Sequence, residues 1–186
     1  MDKLIQKLNI DDNKTKRLEL ITEINRLKDS NPKGVQRTNH GGWHSQNLCS
    51  NDKFNVLNGV IIIYIYRDIF KNKLRIGSFE KSWIIINNKG HYNSRHNHGR
   101  NTISGCFYFS APADSGDIIF SSDKEIRITP ENGDLLIFPG QLKHSVDVNN
   151  TEQDRIVYSF NIESYNVVGS DNIFKKTLRE WEENDK

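Results

Sequence analysis

Residues 90–110, GHYNSRHNHGRNTISGCFYFS, decide how the chain reads as a fold. The second half, TISGCFYFS, alternates small or polar with apolar side chains at a period of two, the signature of a β-strand. In the first half His96 and His98 lie two residues apart. On a strand such residues project to the same side, so one metal ion could take both imidazoles. A third ligand must then come from elsewhere, and His144, at the end of GDLLIFPGQLKH, is the candidate. A His-x-His pair is weak evidence by itself, because with six histidines in 186 residues most would be surface or hydrogen-bonded side chains.

Outward from this stretch the pattern continues. SWIII, TISGCFYFS, DIIFSS, EIRIT, DLLIF, HSVDV and RIVYSFNI are short strand-like runs separated by turn residues, and the His-x-His stretch makes eight. Dense short strands without helical segments between them predict an antiparallel sandwich or barrel, and eight match a jelly roll. Upstream the period changes. In Asn13–Lys28, Leu20, Ile24 and Leu27 recur at helical spacing, with Leu18 and Ile21 widening the stripe, and Asn31-Pro32 and Gly34 end the helix. Phe54, Leu57, Ile61, Ile65 and Ile69 predict a second helix within Asp52–Lys73, although VIIIYIY would also suit a buried strand. Val35–Ser50 reads as a loop in which Trp43 seals a core edge or a pocket mouth; the Gly41-Gly42 pair argues against a helix that would align His40 with His44. Ser170–Trp181 predicts a short amphipathic helix through Phe174, Leu178 and Trp181.

The bulk properties exclude several classes. With 26 Lys and Arg against 24 Asp and Glu and no long block of one sign, nothing marks a nucleic-acid surface. The longest apolar run, Val60–Tyr66, is far short of a membrane span, and the charged N-terminus lacks a signal-peptide core. Cys49 and Cys106 form no metal or redox motif, which suits a reducing compartment. A soluble cytoplasmic protein is expected, without nucleic-acid or membrane partners.

The strands carry a second clue. Ser104, Cys106 and Tyr108 share one face of their strand, and Arg155, Val157, Ser159 and Asn161 share one face of the last strand, both unusually polar for a core. An inward arginine needs an anion, and its forked donors match a carboxylate.

Taken in order, Trp83, Asn87, Gly90, Asn93, His96-x-His98, Ser104-Gly105, Tyr108, Phe138-Pro139, Leu142, His144, Arg155 and Ser159-Phe160-Asn161 resemble the core of the Fe(II)- and 2-oxoglutarate-dependent oxygenases. They are most similar to a small group of such enzymes from bacteria and phages. The resemblance spans Trp83–Asn161 and implies a mainly β, double-stranded β-helix fold of the cupin-like jelly-roll type. Residues 82–164 would form this core, 1–81 a helical extension packed on it and 165–186 a helical tail, within a single domain. It implies Fe(II) as cofactor and 2-oxoglutarate as cosubstrate, decarboxylated to succinate while a small-molecule or peptidyl substrate is hydroxylated. His96, His98 and His144 would hold the metal. Arg155 would bind the distal carboxylate of 2-oxoglutarate, and Tyr108, Ser159, Ser104 and Asn161 would help to bind the cosubstrate. His98 is the departure, since most of these enzymes place Asp or Glu there and keep two histidines and one carboxylate. Two other readings stand beside this one. Gly90, His96-x-His98, Gly133, Pro139 and His144 match much of both cupin motifs without their glutamate, and a metal-free jelly-roll binding protein would not need the three histidines to converge. The prime substrate and a homodimeric state are left open.

Overall fold

The computed structural model describes residues 5–10, 12–69, 76–99, 102–121 and 124–164. In chain order the elements are β1 (Gln6–Asn9), α1 (Asp12–Thr15), α2 (Arg17–Ser30), β2 (Asn39–His40), β3 (Trp43–His44) and α3 (Asn55–Tyr64). Then come β4 (Ile76–Asn87), β5 (Tyr92–His96), β6 (Thr102–Ser110), β7 (Ile118–Ser121), β8 (Glu125–Ile128), β9 (Asp134–Pro139), β10 (Lys143–Val146) and β11 (Arg155–Ser164). The strands make two antiparallel sheets, a six-stranded one in the order β1-β9-β6-β11-β4-β3 and a five-stranded one in the order β2-β5-β10-β7-β8. This is the expected jelly-roll arrangement, with each of the eight strand-like runs on a strand.

Helices cover the outer face of the six-stranded sheet. Phe54, Leu57, Ile61 and Ile65 are all fully buried at spacings of three and four, which settles the VIIIYIY segment as a helix. It enters through a 3-10 turn at Asp52–Phe54, capped by the Asn51 side chain accepting from the Lys53 amide, and leaves through a π-helical turn at Ile65–Ile69. These side chains and Leu20 and Ile24 of α2 pack on Ile84, Ile86, Phe107, Ile156, Tyr158 and Phe160. The first predicted helix is in fact two, because Lys16 adopts a left-handed conformation (φ 53°) between α1 and α2. Leu18 does not widen the apolar stripe: it is 71% exposed, since two residues before Leu20 lies nearly the opposite side of the helix. The helix expected at Ser170–Trp181 lies outside the described residues.

Three strands were not legible beforehand. β1 pairs with β9 from Gln6↔Ile137 to Asn9↔Asp134, and Lys7 Nζ sits 2.8 Å from the buried Asp134 carboxylate. Within the expected loop, β2 joins β5 in one sheet and β3 joins β4 in the other. Gly41 and Gly42 make that transfer, both at positive φ (68° and 66°). A Cβ on Gly42 would come within 2.6 Å of the Ile86 carbonyl oxygen, so the glycine pair serves a crossing between sheets. Trp43 fills the core edge, 4% exposed, with Nε1 donating to the Asn31 carbonyl at 2.8 Å.

Candidate functional site

The register of two neighbouring strands builds the centre of the site. His144 of β10 is the antiparallel partner of His96 at the end of β5, so their side chains rise from the same cross-strand pair. Their ring centroids are 4.3 Å apart. His98 follows β5, and its backbone is pinned by its amide donating to the Gly140 carbonyl at 2.7 Å, while the Gly140 amide donates to Thr102 O at 2.7 Å. This places the His98 ring 5.1 Å from each of the other two. One nitrogen from each of the three imidazoles lies within 4.8 Å of the others, the only such cluster of potential ligands among the described residues.

The donor chemistry fits a divalent metal. Nδ1 of His96 donates to Ser94 O at 2.8 Å and Nδ1 of His144 donates to Leu142 O at 2.9 Å, which leaves each Nε2 with a free lone pair. Burial lowers the pKa of all three rings, that of His98 to about 4 and that of His144 to about 3, the last two with a further push from neighbouring imidazoles. Neutral imidazole is the form that ligates.

These rings open on a cavity of about 650 Å3 between the two sheets. Cys106, Tyr108, Phe138, Arg155, Val157, Ser159 and Asn161 line it, together with Arg37, Thr38, His44, Gln46, Lys81 and Trp83. The antiparallel register puts Ser159 opposite Cys106, Asn161 opposite Ser104 and Val157 opposite Tyr108, so the two polar stripes merge into one surface. Ser104 is 1% exposed and is absent from the cavity wall; its hydroxyl donates to Asn161 Oδ1 at 2.9 Å.

Arg155 is the electrostatic centre of that surface. It is 2% exposed, and among the described residues its hydrogen bonds come from Nη1, to Ser115 O at 2.8 Å and Gly116 O at 3.1 Å. Among the described residues it enters no ion pair with a carboxylate, and burial lowers its pKa. Such a buried cation is stabilised by an anion beside it. Tyr108 beside it is buried and bonded to the Cys106 thiol; burial keeps its hydroxyl protonated, its pKa well above 10, and pushes the thiol up to about 12.

The asparagines of the resemblance hold the scaffold. Asn87 Nδ2 donates to Asn93 Oδ1 at 2.9 Å, and Asn149 Nδ2 donates to Asn87 O at 2.8 Å, which ties the end of β4 to the start of β5. His44 is the residue that sequence reasoning passed over. It lies on the cavity wall and stacks on Trp83, ring centroids 5.8 Å apart and 6° from parallel, whereas His40 stacks on Tyr92 instead. No periodicity marks a two-residue strand, and the only available signal was the proximity of His44 to Trp43 and two glycines.

Residues 81–128 and 120–161 match the family described as "Putative 2OG-Fe(II) oxygenase". Among curated protein sequences none matches the chain. Solved structures share the fold at low identity. A Pseudomonas putida prolyl-4-hydroxylase matches with a TM-score of 0.64 at 14% identity, over 88% of this chain and 94% of that one. The 2-oxoglutarate-dependent epimerase SnoN from nogalamycin biosynthesis gives 0.71 at 11% identity, over 91% and 87%. HygX from Streptomyces hygroscopicus, solved with nickel, 2-oxoglutarate and hygromycin B, gives 0.64 at 13% identity, over 87% and 83%. All three support a double-stranded β-helix for this chain.

Proposed function

We propose that this chain is a 2OG-Fe(II) oxygenase, and a hydroxylase, whose metal is held by His96, His98 and His144 and whose cosubstrate is anchored by Arg155; the match of residues 81–161 to that family model and the shared fold support this reading. The supporting observation is that three neutral imidazoles and a buried arginine without a carboxylate partner among the described residues line one cavity. Fe(II) and 2-oxoglutarate together supply oxidative decarboxylation coupled to oxidation of a substrate C–H bond. The chain's own residues bind, orient and exclude water. The guanidinium of Arg155 offers paired donors to the distal carboxylate. Tyr108 stays protonated and can donate to the same carboxylate, and Ser159 adds a hydroxyl. Ser104 fixes the Asn161 amide by donating to its oxygen, which keeps Nδ2 as a donor. Ile118, Phe138, Val146 and Val157 give the cavity apolar walls that limit water.

Three neutral ligands leave the metal one positive unit higher than a site with two histidines and a carboxylate. His98→Asp should therefore retain metal binding, because a carboxylate restores the usual ligand set. The cavity volume suits a small molecule or one side chain of a peptide. Of the residues expected to form an extension, α2 and α3 cover the core, whereas β1, β2, β3 and the start of β4 belong to its sheets; the protein works in the cytoplasm. Among the described residues no helix is long and apolar enough to cross a membrane.

Anaerobically purified protein loaded with Fe(II) should convert 2-oxoglutarate to succinate on admission of oxygen, slowly when no prime substrate is present. Protein that binds no Fe(II), or that binds it and forms no succinate, would end this reading.

A further inference from the structure

Two of the three imidazoles are aimed by hydrogen bonds and the third is not. His96 and His144 each donate Nδ1–H to a carbonyl two residues earlier, which fixes both tautomer and ring rotation. The His98 ring makes no hydrogen bond among the described residues, although its backbone amide is tied to Gly140. Its contacts are aromatic: the two other imidazoles, and the indole of Trp83 at 5.6 Å between centroids, tilted by 55°.

Trp83 is itself braced. Among the described residues its other aromatic contact is the parallel ring of His44, and Nδ1 of His44 donates to Ser45 O at 2.6 Å. The backbone of Trp83 is fixed in the middle of β4, opposite Ser159 of β11. A ligand imidazole with an unbonded second nitrogen would otherwise keep its rotational freedom and lose it on metal binding.

We propose that Trp83, backed by His44, is the positioning residue for His98, its indole doing for this ring what backbone carbonyls do for the other two. The proposal rests on the reading of His98 as a metal ligand. It has a consequence for the substrate: His44 and Trp83 also line the cavity wall with Arg37 and Thr38, so the pair that aims the third ligand is a surface that a substrate meets.

The test uses the full chain, with Co(II) titrated anaerobically and followed by its visible spectrum. His98→Ala and Trp83→Ala should each weaken Co(II) by about tenfold or more, the range for residues that orient a ligand, and should give similar altered spectra. Trp83→Phe, which keeps an aromatic face, should bind much more tightly than Trp83→Ala. The double variant Trp83→Ala/His98→Ala should bind no more weakly than His98→Ala alone. Trp83→Ala with wild-type affinity and spectrum, beside a weakened His98→Ala, overturns the proposal while leaving the ligand assignment intact. Losses that multiply in the double variant overturn it too, because Trp83 would then act independently of His98. His98→Ala with an unchanged Co(II) spectrum removes the ligand assignment and the proposal together. Should Trp83→Ala not fold, His44→Ala removes only the brace, and its effect on Co(II) must vanish in the His98→Ala background.

Discussion

Strands β6 and β11 carry two surfaces of opposite character on one backbone. Outward, Ile103, Phe107, Phe109, Ile156, Tyr158, Phe160 and Ile162 meet the helices in a continuous apolar layer. Inward, Cys106, Tyr108, Arg155, Ser159 and Asn161 face the cavity. Burial does not distinguish the faces, since residues Thr102 to Phe109 are all buried; partners do. The two tyrosines show it. Tyr158, on the outer face, gives its hydroxyl to Asn58 of α3 at 2.6 Å and is satisfied within the chain. Tyr108, on the inner face, has among the described residues the Cys106 thiol, a weak partner. One face is completed by the protein, and the other is left for a ligand to complete.

Substitutions that separate the faces should separate stability from function. The largest effect is expected at His144→Ala on the inner side: metal affinity falling more than about 100-fold, beyond the usual cost of an orienting residue, with turnover lost. The thermal midpoint of the metal-free protein should stay close to wild type, and an unfolded variant would show that the inner face also carries the fold. Phe160→Ala tests the reverse. Phe160 occupies room that Gly105 leaves, as a Cβ on Gly105 would sit 2.4 Å from its ring. Its loss should cost about 3–5 kcal/mol in urea unfolding while the folded fraction keeps its 2-oxoglutarate KM.

Arg155→Met should be smaller and sharper. The KM for 2-oxoglutarate should rise by about 10–100-fold, since a charge-assisted bond contributes roughly 1.5–3 kcal/mol. Metal binding should persist and ligand-free stability should hold or increase, because an unpaired buried cation is removed. Equal loss of metal and cosubstrate would make Arg155 a structural residue.

The smallest effect belongs to the outer helices. Glu23 takes hydrogen bonds from Arg26 at 2.7 and 2.8 Å and from Asn51 at 3.2 Å, which lower its pKa from 4.5 to about 2. A carboxyl depressed in the folded state stabilises above its unfolded value and loses that contribution as pH falls toward the folded one. Glu23→Gln should therefore be slightly less stable than wild type at pH 7, the gap closing between about pH 4.5 and 2 in urea melts, with no change in 2-oxoglutarate KM.

Much of this division was readable in the sequence. The period-two alternation of TISGCFYFS and RIVYSFNI separates the inner from the outer residues without any structure, because side-chain direction on a strand is fixed locally. The helical spacing of Phe54, Leu57, Ile61 and Ile65 foretold the covering layer for the same reason. The family's motif order made His96, His98, His144 and Arg155 candidates.

What the sequence could not decide was which distant segments meet. That His144 stands opposite His96, that Arg155 finds no carboxylate among the described residues, and that His44 reaches Trp83 all follow from strand register and from the crossing at Gly41-Gly42. β1, β2 and β3 have at most four residues and no period to read; they are strands only because β9, β5 and β4 present open backbone edges to pair with. Side-chain direction is a local property of the chain, whereas a partner is a property of the assembled sheets, and this cavity is built from partners.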